Sequence, residues 1–152
     1  MATKTIEEYI EVIYSLEKKR GSAHTNDIAL KLKVKPPSVT EMLQKLHDMQ
    51  LVIYTPHRGA VLSSSGAKMA QELMQKHRTL AEFFEIIGID KETAEVDACQ
   101  IEHHVTAKTM KQLNNFIKFV QKAPCDPIWL KHFKHFNNTG ERIKCGACIR
   151  VR

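Results

Sequence analysis

Three residues with metal-binding side chains lie close together in the second half of the sequence. Cys99, Glu102 and His103 are spaced i, i+3 and i+4, so on one helix they would project from the same face within about one turn. A thiolate, a carboxylate and an imidazole together form a set of metal ligands. The alternative is that Cys99 is a small core residue and that Glu102 and His103 are ordinary surface residues. The spacing alone leaves both interpretations open.

Two other regions contain residues that could complete such a site. Glu8 and Glu11 form an i, i+3 pair of carboxylates near the start of the chain, and His77 lies within a long helical pattern. Each has a common structural explanation by itself, since carboxylate pairs often lie on solvated helix faces and a single histidine is often partly buried with a hydrogen-bond partner. Their role depends on the elements that would bring them together.

The first part of the chain has the pattern of a winged helix-turn-helix. Residues 5–19 carry apolar side chains at helical spacing and predict an amphipathic helix. Two short helices are predicted at 27–34 and 38–50, joined by the turn KVKPPS, and 51–63 read as a β-hairpin around PHRG. This order predicts a DNA-binding domain over residues 1–70.

The remainder of the chain reads as helical, so the fold class is mainly α. A long helix is predicted from Ser64 or Ser65 to Gly88, and two more helices at 91–105 and 106–123. Their apolar positions could pair with a symmetry mate. We therefore expect residues 71–123 to form an α-helical dimerisation and metal-binding domain, and 124–152 to form a separate tail rich in Cys and His.

The composition fits a folded protein that binds a polyanion. The chain has 152 residues, 43% of them hydrophobic, and a formal charge of +6. A positive charge favours nucleic acid, although basicity by itself also occurs in proteins that bind none. No apolar run reaches the ~18 to 20 residues that span a bilayer, and the N-terminus lacks the apolar core of a signal peptide, so we expect a cytoplasmic protein without a membrane partner.

Five sequence blocks, in one order, resemble the diphtheria toxin repressor superfamily of iron- and manganese-dependent regulators, especially its short manganese branch. The blocks span about residues 5–105 and read EEYIEVIYSLEKK, SVTEMLQKL, RGAVLSSSGAKMA, KHRTLAEFFEIIGID and CQIEHH. The resemblance implies a homodimeric, metal-dependent transcriptional repressor that controls metal homeostasis genes and is not an enzyme.

The resemblance also implies which residues bind the metal. Glu11 matches a ligand of the manganese branch, and His77 matches a ligand of both branches. Glu8 stands where the manganese branch has Asp and the iron branch has Met, whereas Cys99 follows the iron branch. With the shared Glu-His pair, the implied ligands are Glu8, Glu11, His77, Cys99, Glu102 and His103.

This mixed set of ligands bears on the identity of the metal. A thiolate at position 99 prefers borderline metals, whereas the carboxylates favour Mn²⁺. We expect Fe²⁺ or Mn²⁺, with Fe²⁺ favoured over Mn²⁺, and Co²⁺, Ni²⁺ or Zn²⁺ as substitutes in vitro. Because the ligands come from three elements, we expect metal to narrow the range of domain arrangements toward one that fits DNA.

The second helix of the helix-turn-helix should enter the major groove by its N-terminal residues. The candidate DNA-reading positions are Lys35, Pro36, Pro37, Ser38, Thr40 and Glu41, together with Arg58 of the wing. The resemblance implies base contacts at Pro37 and phosphate contacts at Ser38 and Thr40. Lys45 and His57 are either backbone contacts or solvated side chains. A dimer of such domains predicts an inverted-repeat operator in double-stranded DNA.

The C-terminal cysteines suggest a possible second metal site. Cys145 and Cys148 form a C-x₂-C pair, which with Cys125 and either His132 or His135 could bind a structural Zn²⁺. The alternatives are a redox pair and a disordered basic end with incidental thiols.

Two other functions were weighed against the repressor. A metal-dependent enzyme is disfavoured because the sequence has no nucleophile elbow, phosphate-binding glycine loop or H-E-x-x-H motif. A winged-helix regulator that senses redox state through its cysteines would differ from the leading interpretation by binding DNA independently of metal.

Overall fold

The computed structural model describes residues 3–144. Within this range the chain is mainly helical with one small antiparallel sheet, as the sequence predicted. In chain order the elements are α1 Lys4–Arg20, α2 Thr25–Leu32, α3 Pro36–Asp48, β1 Val52–Thr55, β2 Gly59–Leu62, α4 Ser64–Ile86, α5 Lys91–Ile101, α6 Ala107–Gln121 and α7 Ile128–Thr139. No helix in the described part of the chain is both long enough and apolar enough to cross a bilayer.

Helix α1 forms the centre of the first core. Its apolar residues recur at helical spacing, so one face is buried through Ile6, Ile10 and Ile13 while the charged residues remain at the surface. The helix ends at Gly21, which adopts φ 82° and donates its N–H to the carbonyl of Glu17. Glycine suits this position because the left-handed conformation costs it nothing.

Helices α2 and α3 form the predicted helix-turn-helix. The turn contains no glycine, and Lys33 takes the left-handed conformation at its start with φ 54°. Helix α3 begins at Pro36, two residues earlier than the sequence-based start at Ser38. Prolines are tolerated in the first helical turn because the N–H groups there have no intrahelical acceptor.

The predicted hairpin is present and is attached to the start of α2. Strands β1 and β2 pair antiparallel from Val52 opposite Leu62 to Thr55 opposite Gly59. Ala23 exchanges two backbone hydrogen bonds of 2.8 Å with Ala60 of β2. The wing therefore forms one structure with the helix-turn-helix.

The chain divides into two compact units. The first unit runs to Arg78 and also contains Cys99–His104, and the second comprises Thr79–Ala98 and the described residues from Val105 onward. The second unit therefore includes α7, a helix between Pro127 and Gly140 within the segment that the sequence set apart as a tail. Its helices pack through the ring of Phe116, which contacts both Phe83 and Trp129.

Helix α5 is shorter than the sequence predicted. It ends at Ile101, whereas the pattern extended it to Val105. Glu102 and His103 lie in the turn that follows, which closes with a 2.9 Å hydrogen bond from the His104 N–H to the Ile101 carbonyl. The expectation that Cys99, Glu102 and His103 share one helix face is therefore wrong.

We expect Gly66→Ala to destabilise the first unit strongly. A Cβ at Gly66 would lie 1.9 Å from the carbonyl oxygen of Leu51, a backbone atom that cannot move aside independently. Such overpacking costs about 1–3 kcal/mol or more. Urea denaturation would measure the loss, with Ser65→Ala at an exposed neighbouring position as the control. Equal unfolding free energies for the two variants would contradict the prediction.

Candidate metal centre

Three of the six predicted ligands lie together in the first unit. A carboxylate oxygen of Glu11, a carboxylate oxygen of Glu102 and a ring nitrogen of His103 all lie within 4.8 Å of one another. Helix α1 supplies Glu11, and the turn after α5 supplies the other two. We call Glu11, Glu102 and His103 the acid-imidazole cluster.

The distances within this cluster fit a divalent cation. Nε2 of His103 is 3.8 Å from Oε2 of Glu11 and 3.6 Å from Oε1 of Glu102. Ligand atoms that share a cation at about 2.0–2.2 Å lie roughly 3 to 4 Å apart, so small movements would allow all three to bind one ion. Two oxygens and one imidazole nitrogen also match the donors that Mn²⁺ and Fe²⁺ accept.

Burial makes the cluster electrostatically unfavourable without a positive charge. The residue Glu102 is only 1% exposed, and burial raises its pKa. For Glu11, burial and then the neighbouring charge of Glu102 raise the pKa to about 7. Two carboxyl groups in such surroundings retain a proton or bind a cation. A bound metal would supply the positive charge that is otherwise supplied by the proton retained on one of the two carboxyl groups.

His77 approaches the cluster through Glu102. Its Nδ1 is 3.0 Å from Oε2 of Glu102, while Oε1 of the same carboxylate faces His103. The structure thus brings this predicted ligand from α4 into contact with Glu102, although it is not one of the three residues whose ligand atoms lie within 4.8 Å of one another.

Glu8 and Cys99 lie outside the cluster. Glu8 is directed toward Lys4, 3.8 Å away, and keeps 40% of its side-chain surface exposed. Cys99 is exposed, but partial desolvation raises the pKa of its thiol, and the charges of Glu102, Glu11 and Glu8 raise it further. The thiol is therefore near the acidic groups but farther from them than the three members of the cluster are from one another.

One residue that the sequence analysis did not single out lies directly against the cluster. The carboxylate of Glu7 is 2.7 Å from Nδ1 of His103. Glu7 and Glu11 are one helical turn apart, so the sequence placed both on one face of α1, but it could not show which of the adjacent residues Glu7 and Glu8 would face His103.

The predicted DNA-reading residues form an exposed surface on the same unit. These side chains lie at the start and in the last turn of α3 and at the turn of the hairpin, and all are exposed: Lys35, Pro36, Pro37, Ser38, Thr40, Glu41, Lys45, His57 and Arg58. Thr40 directs its hydroxyl to the carbonyl oxygen of Pro36 at 3.3 Å. His57 has φ 66° at the tip of the hairpin.

A winged helix that carries an acid-imidazole cluster defines the class of metal-dependent transcriptional regulators. Residues 1–60 match the iron dependent repressor N-terminal DNA binding domain, and residues 63–130 match the iron dependent repressor metal binding and dimerisation domain. The chain belongs to the iron dependent repressor family. It is a metal-dependent transcriptional repressor that binds DNA and forms homodimers, and it is not an enzyme.

Named relatives and solved structures agree with this assignment. The chain is 39% identical over 142 residues to the HTH-type transcriptional regulator MntR of Bacillus velezensis, covering 93% of this chain and 100% of that protein. It is 36% identical over 137 residues to the regulator of the same name from Bacillus pumilus, covering 90% and 95%. The structure of the manganese regulator SloR is similar with a TM-score of 0.63 and 28% identity, covering 78% of this chain and 55% of that one. None of these supports the redox alternative.

Glu11 should make the metal-free protein less stable as the pH rises from about 4.5 to above 7. Its pKa is about 7 in the folded protein against an ordinary 4.5, so the folded state holds this proton more tightly than the unfolded state does. The resulting stabilisation is complete below the lower value and is lost as the pH rises through the higher one, a change on the order of 2 kcal/mol.

Glu11→Gln removes this titration and is the matched comparison. Urea denaturation in the presence of a chelator would measure the unfolding free energy of both proteins across this pH range. We expect the variant to gain stability relative to the wild-type protein as the pH rises. Parallel pH profiles for the two proteins would contradict the assignment of the raised pKa to Glu11.

Proposed function

We propose that this repressor responds to Mn²⁺ and that the acid-imidazole cluster is the centre of the sensing site. The observation that supports this proposal is that two carboxylates and an imidazole, largely buried, have ligand atoms within 4.8 Å of one another. These donors favour Mn²⁺ over the Fe²⁺ that the sequence favoured, since the thiol of Cys99 is outside the cluster. The name of the manganese regulator SloR supports the same metal.

The remaining ligands of the proposed site would come from the predicted set. His77 already contacts Glu102, and Cys99 is near enough to Glu102, Glu11 and Glu8 for their charges to raise the pKa of its thiol. We propose that His77 and Glu8 complete the coordination, and that Cys99 modulates which metal is preferred. Fe²⁺ and, in vitro, Co²⁺, Ni²⁺ or Zn²⁺ would be the competing ions.

The chain connectivity suggests how metal binding would affect DNA binding. The chain passes between its two compact units after Arg78, after Ala98 and after His104. His77, Cys99 and His103 each lie at or beside one of these crossings. A cation that binds these residues together with Glu11 would limit the conformations of the chain where it passes between the units. We propose that this limit shifts the dimer toward conformations that fit its operator.

The DNA-reading surface proposed from the sequence is consistent with the exposed positions of α3 and the hairpin. The N-terminal residues of α3 would enter the major groove, and Arg58 would contact the backbone from the wing. Two such domains in a homodimer would read an inverted repeat. Because a repressor acts on the chromosome, we place the protein in the cytoplasm.

We propose that a second copy covers exposed apolar side chains of the second unit. Phe119 of α6 and Ile128 of α7 are 65% and 68% exposed, and Trp129 is also exposed. Exposed aromatic and aliphatic groups of this kind are typical of protein interfaces. This proposal extends the predicted dimerisation surface to α7.

The C-terminal zinc site stays a prediction. Cys125 is exposed, and His132 and His135 lie on α7. Cys145 and Cys148 are outside the described residues.

Removing metal, or one buried ligand, should abolish operator binding. We expect Glu102→Ala to weaken Mn²⁺ binding by at least about 100-fold, since loss of an outer-shell partner alone costs about 10- to 100-fold. The DNA would be a duplex that the Mn²⁺-loaded protein selects from a pool of random sequences. The selected sequence also shows whether the operator is an inverted repeat. Fluorescence anisotropy would measure its binding with Mn²⁺ or with chelator. The control is Glu72→Ala, at an exposed position of α4. DNA affinity that is unaffected by chelation would refute the mechanism.

Cys99 should influence which metal ions activate DNA binding and at what concentration. We expect Cys99→Glu to bind the selected duplex at lower Mn²⁺ concentration than the wild-type protein, because a carboxylate suits Mn²⁺ better than a thiol does. Anaerobic titrations with Mn²⁺, Fe²⁺, Co²⁺ and Zn²⁺ would measure this, and Cys125→Ser provides the matched control at the other exposed cysteine among residues 3–144. An unchanged order of metal responses in Cys99→Glu would argue against this role.

A further inference from the structure

The contact between Glu7 and His103 is nearly shielded from water. The side chains of His103 and Glu7 are 2% and 15% exposed, and Nδ1 of the imidazole is 2.7 Å from Oε2 of the carboxylate. This distance is short for a hydrogen bond between nitrogen and a charged oxygen. Surface ion pairs gain little because water competes with them, but water has little access to this one.

The chemistry of the two groups determines where the imidazole proton lies. A carboxylate can only accept hydrogen bonds, so Nδ1 of His103 must carry the hydrogen. A neutral imidazole has only one N–H, and Nε2 then keeps its lone pair. That same Nε2 faces Glu11 at 3.8 Å and Glu102 at 3.6 Å. The hydrogen bond at one nitrogen thus leaves the other available as a ligand.

Helix α1 therefore contacts both sides of one imidazole ring. Glu7 accepts from Nδ1, and Glu11, one turn later, lies on the side of Nε2. Among the described residues, Glu7 is the hydrogen-bond acceptor beside Nδ1 of His103. Without it the hydrogen could move to Nε2, the nitrogen that would have to bind the cation.

We infer that Glu7 is a positioning residue of the metal site, which fixes the tautomer and orientation of His103 so that Nε2 is directed to the cation. This inference rests on the proposed function, since it assumes that the acid-imidazole cluster binds the metal. Metal-binding histidines commonly have such a carboxylate on the second nitrogen, where it also increases the basicity of the ligand.

The test combines a measurement on the metal-free protein with one on metal binding. Nitrogen-15 NMR of labelled histidines reports which ring nitrogen of His103 carries the hydrogen, and electron paramagnetic resonance of free Mn²⁺ gives the dissociation constant. The variants are Glu7→Ala, which removes the acceptor, and Glu7→Gln, which retains an amide oxygen as acceptor. Glu72→Ala is the control for loss of one exposed carboxylate from the same helical unit.

We expect Glu7→Ala to lose the Nδ1–H tautomer and to weaken Mn²⁺ binding by about 10- to 100-fold. Glu7→Gln should retain the tautomer and lose less affinity, and Glu72→Ala should match the wild-type protein. If Glu7→Ala does not fold, Glu7→Leu is the alternative, because leucine fills a volume similar to that of glutamate but has no hydrogen-bond acceptor. It should likewise lose the Nδ1–H tautomer and Mn²⁺ affinity.

The possible failures are distinguishable. A wild-type protein that does not bind Mn²⁺ would overturn the proposed metal site. Wild-type binding that Glu7→Ala or Glu7→Leu leaves unchanged, with the tautomer of His103 preserved, would overturn only the role of Glu7. A Glu7→Gln protein as impaired as Glu7→Ala in both measurements would also overturn it, because the acceptor alone should hold the tautomer.

Discussion

The burial of the Glu102 carboxyl group beside the half-buried Glu11 is the physical constraint on the candidate metal centre. Burial and then the neighbouring charge of Glu102 raise the pKa of Glu11 to about 7. The core of the first unit must hold them together. Ile10 and Ile13, on the same helix as Glu11, are fully buried and contribute about 1.5–3 kcal/mol each. Apolar packing therefore holds the acid-imidazole cluster together against the cost of burying its carboxyl groups.

The periodicity of the sequence was sufficient to predict α1 to α6 and the hairpin, because each amphipathic segment has one apolar face and one core to cover, but it did not predict α7. It was less informative about where helices end. The apolar pattern of α5 continues to Val105, but the helix ends at Ile101, since Thr106 caps a new helix by accepting from the N–H of Thr109. Glu102 and His103 therefore lie in the turn between α5 and α6.

The candidate site could be predicted only in part. The resemblance identified Glu11, Glu102 and His103, which the structure brings together, but local spacing could not distinguish Glu7 from Glu8 as the neighbour of His103. Both are glutamates on the same turn of α1, and the choice depends on the rotation of the helix in its core. That rotation is a tertiary property, set by which apolar residues are buried.

Helix α1 connects the candidate metal centre with the wing inside one compact unit. Near its N-terminal end Glu7 and Glu11 contact His103, and near its C-terminal end Oε2 of Glu17 accepts a 2.9 Å hydrogen bond from the Leu62 N–H of β2. The wing is thus attached to α1 through contacts that do not involve the acidic cluster. The helix-turn-helix and its wing are therefore formed without help from a bound cation. In the mechanism that we propose, metal acts on the chain crossings beside His77, Cys99 and His103 and selects among conformations of the dimer, with α3 already formed.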